Sequence, residues 1–187
     1  MNLSQLIKSS GKYDLSIFSA ESIDRIEKRI FKKDKQIDKI SRDILFIERN
    51  LDFLKPGGRM AIVLPQGRFN NTSDERIRDF IMERARLLAV VGLDGNTFKP
   101  HTGIKTSVLF VQKWDEKINP KVDDYKIFMA VSENSGKDNS GDEIYKIDKN
   151  GERKLDEHGH LKQKHDLDDI AFAFEKWGRE NGLSFWK

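Results

Sequence analysis

The stretch Phe53–Asn71, FLKPGGRMAIVLPQGRFNN, constrains the fold more than any other part of this chain. Ahead of it and into it, Ile40, Ile44, Ile47, Leu51 and Leu54 recur at spacings of four, three, four and three. That rhythm lines one face of an α-helix. Pro56 disfavours helical geometry at Lys55, and Gly57 and Gly58 permit the positive φ of a tight turn. The run MAIVLP that follows is short and almost wholly apolar. It predicts a strand buried on both faces, as in a parallel sheet sandwiched by helices, with Pro65 ending it.

The next segment, NTSDERIRDFIMERARLL, predicts a second helix. Thr72 and Glu75 have the spacing of a capping box, Asp74 and Glu75 sit at the positive end, and Ile77, Phe80, Ile81 and Leu88 supply the inner stripe. LLAVVGL, Leu87 to Leu93, predicts a second buried strand and TSVLFVQKW a third. The loop between them, DGNTFKPHTGIK, has no helical period. A parallel crossover needs a helix of its own, so these two strands are expected to be antiparallel neighbours. The order helix, strand, helix, strand, loop, strand argues for an α/β sheet. Ligands of such sheets bind beyond the carboxyl ends of the parallel strands. That places PQGRFNN and the loop around Phe98 on the working rim.

After Trp114 the character changes. In YKIFMAVS, Tyr125, Ile127, Met129 and Val131 alternate, a strand by period two. SENSGKDNSGDE is a loop composition, and YKIDKNGERKLDEHGHLKQ reads as a solvated hairpin with turns at its two Gly residues, Gly151 and Gly159. DLDDIAFAFEKWGREN predicts a helix with Leu167, Ile170, Ala171, Phe174 and Trp177 on one face. Residues 1–39 read as an exposed helix or linker, 40–114 as the body of the α/β domain, and 115–187 as an accessory strand, hairpin and helix.

Hydrophobic residues make up 37% of the 187 and charged ones 35%, polar for a self-contained globule. Lys and Arg outnumber Asp and Glu by seven over residues 1–114 and fall short by four over 115–187. A basic front and an acidic tail suit a protein that meets a polyanion with one part only, although solvated faces produce the same imbalance. The absence of cysteine excludes a disulfide scaffold and thiolate metal sites. No apolar run approaches the roughly 18 residues of a membrane span, and the N-terminus lacks the apolar core of a signal peptide. A cytoplasmic protein is the expectation.

Several chemistries find no support. There is no P-loop, no G-x-G-x-x-G and no G-x-S-x-G elbow. His158, His160 and His165 lie in a polar hairpin without ligand spacing, so a solvated turn accounts for them better than a metal site. Phe98 stands between turn-formers, with Lys99, His101 and Lys105 close by. Such an aromatic can stack on a nucleobase while cations hold phosphate, or it can tuck onto the sheet edge. Residue chemistry alone leaves both readings open and leans to the second.

The segments RDILFIERNLDFLKPGGRMAIVLPQGRFNN, RIRDFIMERARLLAVVGLDGNTFKPHTGIKTSVLFVQKW and IFMAVSENSGKD resemble the later half of the modification (M) subunit of type I restriction–modification systems. The resemblance is most specific from Arg42 to Trp114 and continues through the tail. Those subunits are DNA adenine-N6 methyltransferases that use S-adenosylmethionine. The resemblance implies part of a doubly wound, Rossmann-like methyltransferase sheet with an antiparallel last strand, plus a C-terminal hairpin and helix. It also implies partners: DNA, a specificity (S) subunit, a restriction (R) subunit and the remainder of the methyltransferase subunit. The family's glycine-rich cofactor loop and its NPPF catalytic motif are not found here. Asn119–Pro120 continues as KVDDY and is not that motif.

By the same resemblance, Phe98 holds the place of the aromatic that stacks on a flipped-out target base. Gln66, Arg68, Asn70, Lys99, His101 and Lys105 would face the DNA side of the cleft, and no catalytic or cofactor residue is carried over. The expectation is therefore a C-terminal portion of an adenine methyltransferase subunit, inactive alone. The alternative is a non-enzymatic module that docks on a specificity or methyltransferase subunit.

Overall fold

The computed structural model describes residues 41–183. The expected N-terminal helix or linker of residues 1–39, and Ile40 of the first stripe, lie outside them. The described elements are helix α1 (Arg42–Phe53), strand β1 (Arg59–Pro65), a one-turn helix α2 (Gly67–Asn70), helix α3 (Glu75–Arg84), strands β2 (Ala85–Gly92), β3 (Thr106–Lys113) and β4 (Phe128–Val131), and helix α4 (Leu167–Glu180). The strands form one mixed sheet in the order β1-β3-β2-β4. β3 is antiparallel to both its neighbours, from Arg59↔Gln112 to Pro65↔Thr106 on one side and from Ala85↔Lys113 to Gly92↔Ser107 on the other. β4 adds to β2 in parallel. β1, β2 and β4 therefore point the same way, and β3 lies between the first two, running against them. The α/β class and the antiparallel pairing of β2 with β3 expected from the loop length are both present, and the strand that follows, β4, is parallel to β2.

α1 and α3 cover one face of the sheet. Ile44, Leu45, Ile47 and Leu51 of α1 and Ile77, Phe80 and Ile81 of α3 meet Leu64, Leu109 and Val111 in a closed core. The turn after α1 is fixed by β3: the Lys113 ammonium donates to the Leu51 and Leu54 carbonyls at 2.8 and 2.9 Å, answering acceptors the helix end leaves open. Gln112 Nε2 reaches the Gly57 carbonyl at 3.0 Å. Gly57 sits at φ +72° with Ile118 pressed against it, so the turn has room for no side chain there.

Four local expectations need correction. β1 is an edge strand buried on alternate residues only: Leu64 is buried, while Ala61 and Val63 face outward. No second layer or outer strand covers it among the described residues, so the run MAIVLP is apolar on both sides but dry on one. The second helix ends at Arg84, and Leu88 is a buried residue of β2. No side-chain bond caps α3, because a 3₁₀ turn at Thr72–Asp74 separates Thr72 from its start. In α4, Phe174 and Trp177 pack on Phe128 with ring centroids 5.3 and 5.7 Å apart, but Leu167 and Ala171 of the expected stripe are exposed.

Residues 133–166 form a narrow ribbon rather than a single hairpin. The backbone N–H of Lys146 donates to Lys162, that of Lys162 to Lys154 and that of Lys154 to Lys146, each at 2.8 Å, closing a ring across three short segments. The segments repeat every eight residues, YKIDKNGE then RKLDEHGH then LKQ. At the corners Asp148 and Asp156 each fold a carboxylate oxygen back onto the backbone N–H groups two and four residues on, at 2.8 to 2.9 Å.

Candidate functional site

The sheet topology brings three chain segments to one edge. β1 and β2 end there, β3 begins there, and β4 also ends there. The Gln66 N–H donates to the Lys105 carbonyl at 3.0 Å, Leu93 N–H to Thr106 at 2.9 Å and Ser132 N–H to Gly92 at 2.8 Å. The loops after β1 and β2, both singled out from the sequence, are thus neighbours on this rim.

The loop 93–105 is shaped by its own turns. Thr97 returns both its N–H and its hydroxyl to the Asp94 carbonyl, at 3.0 and 2.7 Å, and Thr102 N–H closes on Phe98 at 3.1 Å. It is then strapped to the ribbon's base. Lys99 Nζ donates to the Asn139 carbonyl at 2.9 Å and Lys137 Nζ to the Lys99 carbonyl at 3.0 Å. The Asp94 carboxylate accepts from Ser135, whose hydrogen bonds hold it below the usual carboxylate range. Gly141, at φ +97°, passes so close to Lys99–Pro100 that a Cβ would stand 2.6 Å from the Pro100 nitrogen. Within this frame Phe98 leaves 37% of its surface open. His101 and Lys105 are exposed beside it. The structure thus holds Phe98 at the rim on a braced backbone, with the Lys99 ammonium turned to the Asn139 carbonyl.

On the β1 side, Gln66, just before the one-turn helix α2, and Asn70, its last residue, are exposed. Arg68 points inward. Its guanidinium meets Asp43 at 2.6 Å and Asp74 at 3.0 Å, and donates to Ser41 Oγ at 2.9 Å. Burial pushes the Asp43 carboxyl up, but the bonds from Arg68 and Ser41 outweigh it and hold it below its ordinary value. The Arg68 charge is therefore spent on fixing the starts of α1 and α3 to the rim.

Asp94, Ser135, Gly141 and Asp166 were not picked out as site residues from the sequence. Asp166 accepts from Ser132 Oγ at 2.6 Å and from the Glu133 and Asn134 N–H groups at 2.7 and 3.2 Å, anchoring the chain where it leaves β4. The recurrence of Asp with Gly three residues later, at Asp138, Asp148 and Asp156, was the available signal for the ribbon. His158 and His160 lie on its exposed outer corner, and among the described residues no group of three or more His, Cys, Asp or Glu could hold a metal ion.

A family model described as N-6 DNA methylase matches residues 7–181, most of the chain. This chain belongs to the N-6 DNA methylase family. Over 70 residues it is 37% identical to the type I restriction enzyme EcoEI methylase subunit of Escherichia coli, a match covering 37% of this chain and 14% of that protein. A chain from a structural study of complex assembly in the type I restriction–modification system aligns with TM-score 0.47 and 19% identity, covering 80% of this chain and 27% of that one. A modification subunit assigned to a type I restriction enzyme of Vibrio vulnificus aligns with TM-score 0.39 and 18% identity over 72% of this chain and 33% of that one. In each case this N-6 methylase chain spans a third or less of its relative's own length. The resemblance to type I modification subunits read from the sequence holds.

At the passage from β1 into α2 the described residues form no cradle for S-adenosylmethionine. The passage from β1 into α2 is the place where a phosphate- or cofactor-type cradle would be sought, at a helix start. Here α2 has a single turn, and a Cβ on Gly67 would meet the Asn71 amide at 2.9 Å, so the space is filled by the chain itself.

Proposed function

We propose that this chain supplies the target-base and DNA side of the cleft of a type I adenine-N6 DNA methyltransferase. The glycine-rich loop and the NPPF motif come from other sequence. The observation that carries this reading is the rim: two strand-end loops meet at one sheet edge, and the exposed Phe98 stands among Lys99, His101 and Lys105. An aromatic face held at the mouth of a cleft can receive an extruded adenine, at a gain of roughly 1–3 kcal/mol per stacked base. Exposed Lys105 and His101, with Gln66 and Asn70 across the rim, are suited to the flanking phosphates and sugars. Arg68 acts beneath them as a brace. Alone, the chain neither transfers methyl groups nor holds the cofactor. DNA, the specificity subunit, the restriction subunit and the remainder of the methyltransferase are its partners in the whole system.

The test is reconstitution. The purified chain is mixed with DNA and labelled S-adenosylmethionine, with and without a polypeptide carrying the two missing motifs. Methyl transfer is expected only in the mixture. Transfer by the chain alone, at the rate of a whole enzyme, would refute the reading.

A second reading, a non-catalytic module that docks on another polypeptide, draws on the open side of β1. Its outer backbone edge pairs with no strand among the described residues, and Val63 is 46% exposed on its uncovered face. Such an edge is a template for pairing. A lone chain that runs as a clean monomer in size-exclusion chromatography would count against it.

A further inference from the structure

The alternating stripe Tyr125, Ile127, Met129 and Val131 takes no part in the rim. Strand pairing fixes where it points. Met129 lies opposite Val90 and Val131 opposite Gly92, and side chains of paired residues share a face. Val90 packs against the core under α1 and α3, so the stripe faces that side of the sheet. A Cβ on Gly92 would touch Val131 at 3.6 Å, whereas Phe128 turns the other way to meet α4. The helices stop short of β4. Met129 and Val131 are left 70% and 72% exposed, and Met82 on the flank of α3 is 37% exposed.

The result is a trough between α3 and β4. Its end away from the rim opens into a cavity of about 650 Å³ lined by Trp114, Tyr125 and Ile127. The aromatic pair there is fixed: the rings meet edge-on at 5.8 Å, the Trp114 indole N–H is held by the Met82 carbonyl at 2.9 Å, and the Tyr125 hydroxyl accepts from Leu87 N–H at 3.3 Å. A smaller apolar cavity of about 290 Å³, lined by Leu87 and Val90, shares Asp79 and Met82 with it. Acids border the trough. Asp79 and Glu83 of α3 and Asp123 and Asp124 of the segment before β4 line the same cavity, with Arg76 and Lys121. Glu83 pairs with Arg84 at 3.2 Å, and the Arg86 guanidinium lies 5.2 Å from the Tyr125 ring centre. Asp79, Asp123 and Asp124 form no ion pair among the described residues.

We infer that this trough docks an amphipathic helix of a protein partner, its apolar side on the Ile127–Met129–Val131 stripe and its Arg or Lys side chains toward Asp79, Asp123 and Asp124. Asp79, Asp123 and Asp124, which have no ion-pair partner among the described residues, favour a basic partner over a polyanion. Exposed large apolar side chains gathered in one groove mark a protein interface. From Tyr125 to Val131 the stripe runs about 20 Å, which matches roughly thirteen helical residues. Such a helix presents an anchor each turn. The inference does not depend on the methyltransferase reading.

The test measures binding of a fluorescent 18-residue peptide to the purified full chain. The peptide carries leucines at i, i+3, i+4 and i+7 spacing, with arginines flanking them. A control peptide has glutamates in place of the arginines. The arginine peptide is expected to bind, and the glutamate peptide at least tenfold more weakly. Asp79→Asn/Asp123→Asn/Asp124→Asn and, separately, Met129→Ser/Val131→Ser should each weaken the arginine peptide about tenfold. All of these sites are exposed, so folding is not at stake. No binding, equal binding of both peptides or unchanged affinity in the variants overturns the inference. So does a chain dimer that Met129→Ser/Val131→Ser dissolves, since a second copy would then be the occupant.

Discussion

The carboxylate of Asp94 accepts two hydrogen bonds from Ser135, one from the hydroxyl at 2.6 Å and one from the backbone N–H at 3.2 Å. The pair joins residues 41 positions apart and ties the end of β2 to the chain leaving β4. Asp94→Ala removes both bonds and releases one side of the loop that carries Phe98. The expected cost is about 1 kcal/mol, the modest value of a charge-assisted bond open to solvent. Faster hydrogen exchange should be confined to residues 93–105 and 133–141. The pH dependence has a definite sign. Because the bonds from Ser135 depress the Asp94 pKa, their contribution is full above the ordinary carboxylate pKa of about 3.9 and is lost as pH falls through the lower folded value. Exchange in the two segments of the wild type should therefore approach that of Asp94→Ala only at pH well below 4, each pair compared at one pH.

How much of this was legible in the sequence depends on the range of the interaction. The α1 stripe of Ile44, Ile47 and Leu51 was readable because helical burial repeats locally. The antiparallel placing of β3 followed from the length of a loop. What failed needed partners far away. MAIVLP has the composition of a doubly covered strand, and whether anything lies on Ala61 and Val63 is not written in those residues. The period of Tyr125 to Val131 was right, yet the ring that finds partners is Phe128, in the opposite phase, because Phe174 and Trp177 of α4 reach β4 and α3 does not. Asp94–Ser135 and Gly141–Pro100 join loops that look featureless until the sheet sets them side by side. Phe98 was legible as an oddity, an aromatic among turn-formers, and the structure adds the frame that holds it.

Arg68 offers a second test. It bridges Asp43, from the start of α1, to Asp74, just before α3, and all three side chains are largely withdrawn from solvent. Arg68→Met leaves two carboxylates facing each other without a cation. A loss of about 2–3 kcal/mol is expected, below the range of a fully buried pair because solvent still reaches the site. Arg68→Lys keeps the charge but not the fork that spans both acids, and should recover less than half of it. The urea midpoints of the three proteins decide the matter. Equal midpoints for Arg68→Met and wild type would free Arg68 for a direct role on DNA.

Gly141 and Gly151 form a controlled pair. Both have positive φ, +97° and +84°, in the ribbon's turns. A Cβ at Gly151 meets nothing within 4 Å, whereas one at Gly141 collides with the backbone of Lys99 and Pro100. Gly151→Ala should cost only its backbone strain, about 1 kcal/mol. Gly141→Ala adds a collision neither backbone can avoid. It should cost about 2–3 kcal/mol and also disturb the loop bearing Phe98. Thermal unfolding measures the difference between them, and hydrogen exchange at residues 96–102 reports the displacement.

Phe98 gives the test that bears most directly on function. Its ring is 37% exposed and its loop is held by backbone bonds and by Asp94, Lys99 and Lys137, so truncating the ring leaves the fold intact. In the reconstituted methyltransferase, Phe98→Ala should lower methyl transfer by about 5- to 150-fold, the equivalent of the 1–3 kcal/mol of a lost stack. Phe98→Tyr keeps an aromatic face and should stay within a few-fold of wild type, whereas Phe98→Leu keeps bulk without a π-face and should resemble the alanine variant. DNA carrying 2-aminopurine at the target position brightens when that base leaves the helix. Both non-aromatic variants should reduce that signal without altering thermal unfolding. If leucine and tyrosine behave alike in both assays, the ring serves only to fill space at the sheet edge, and the stacking role falls.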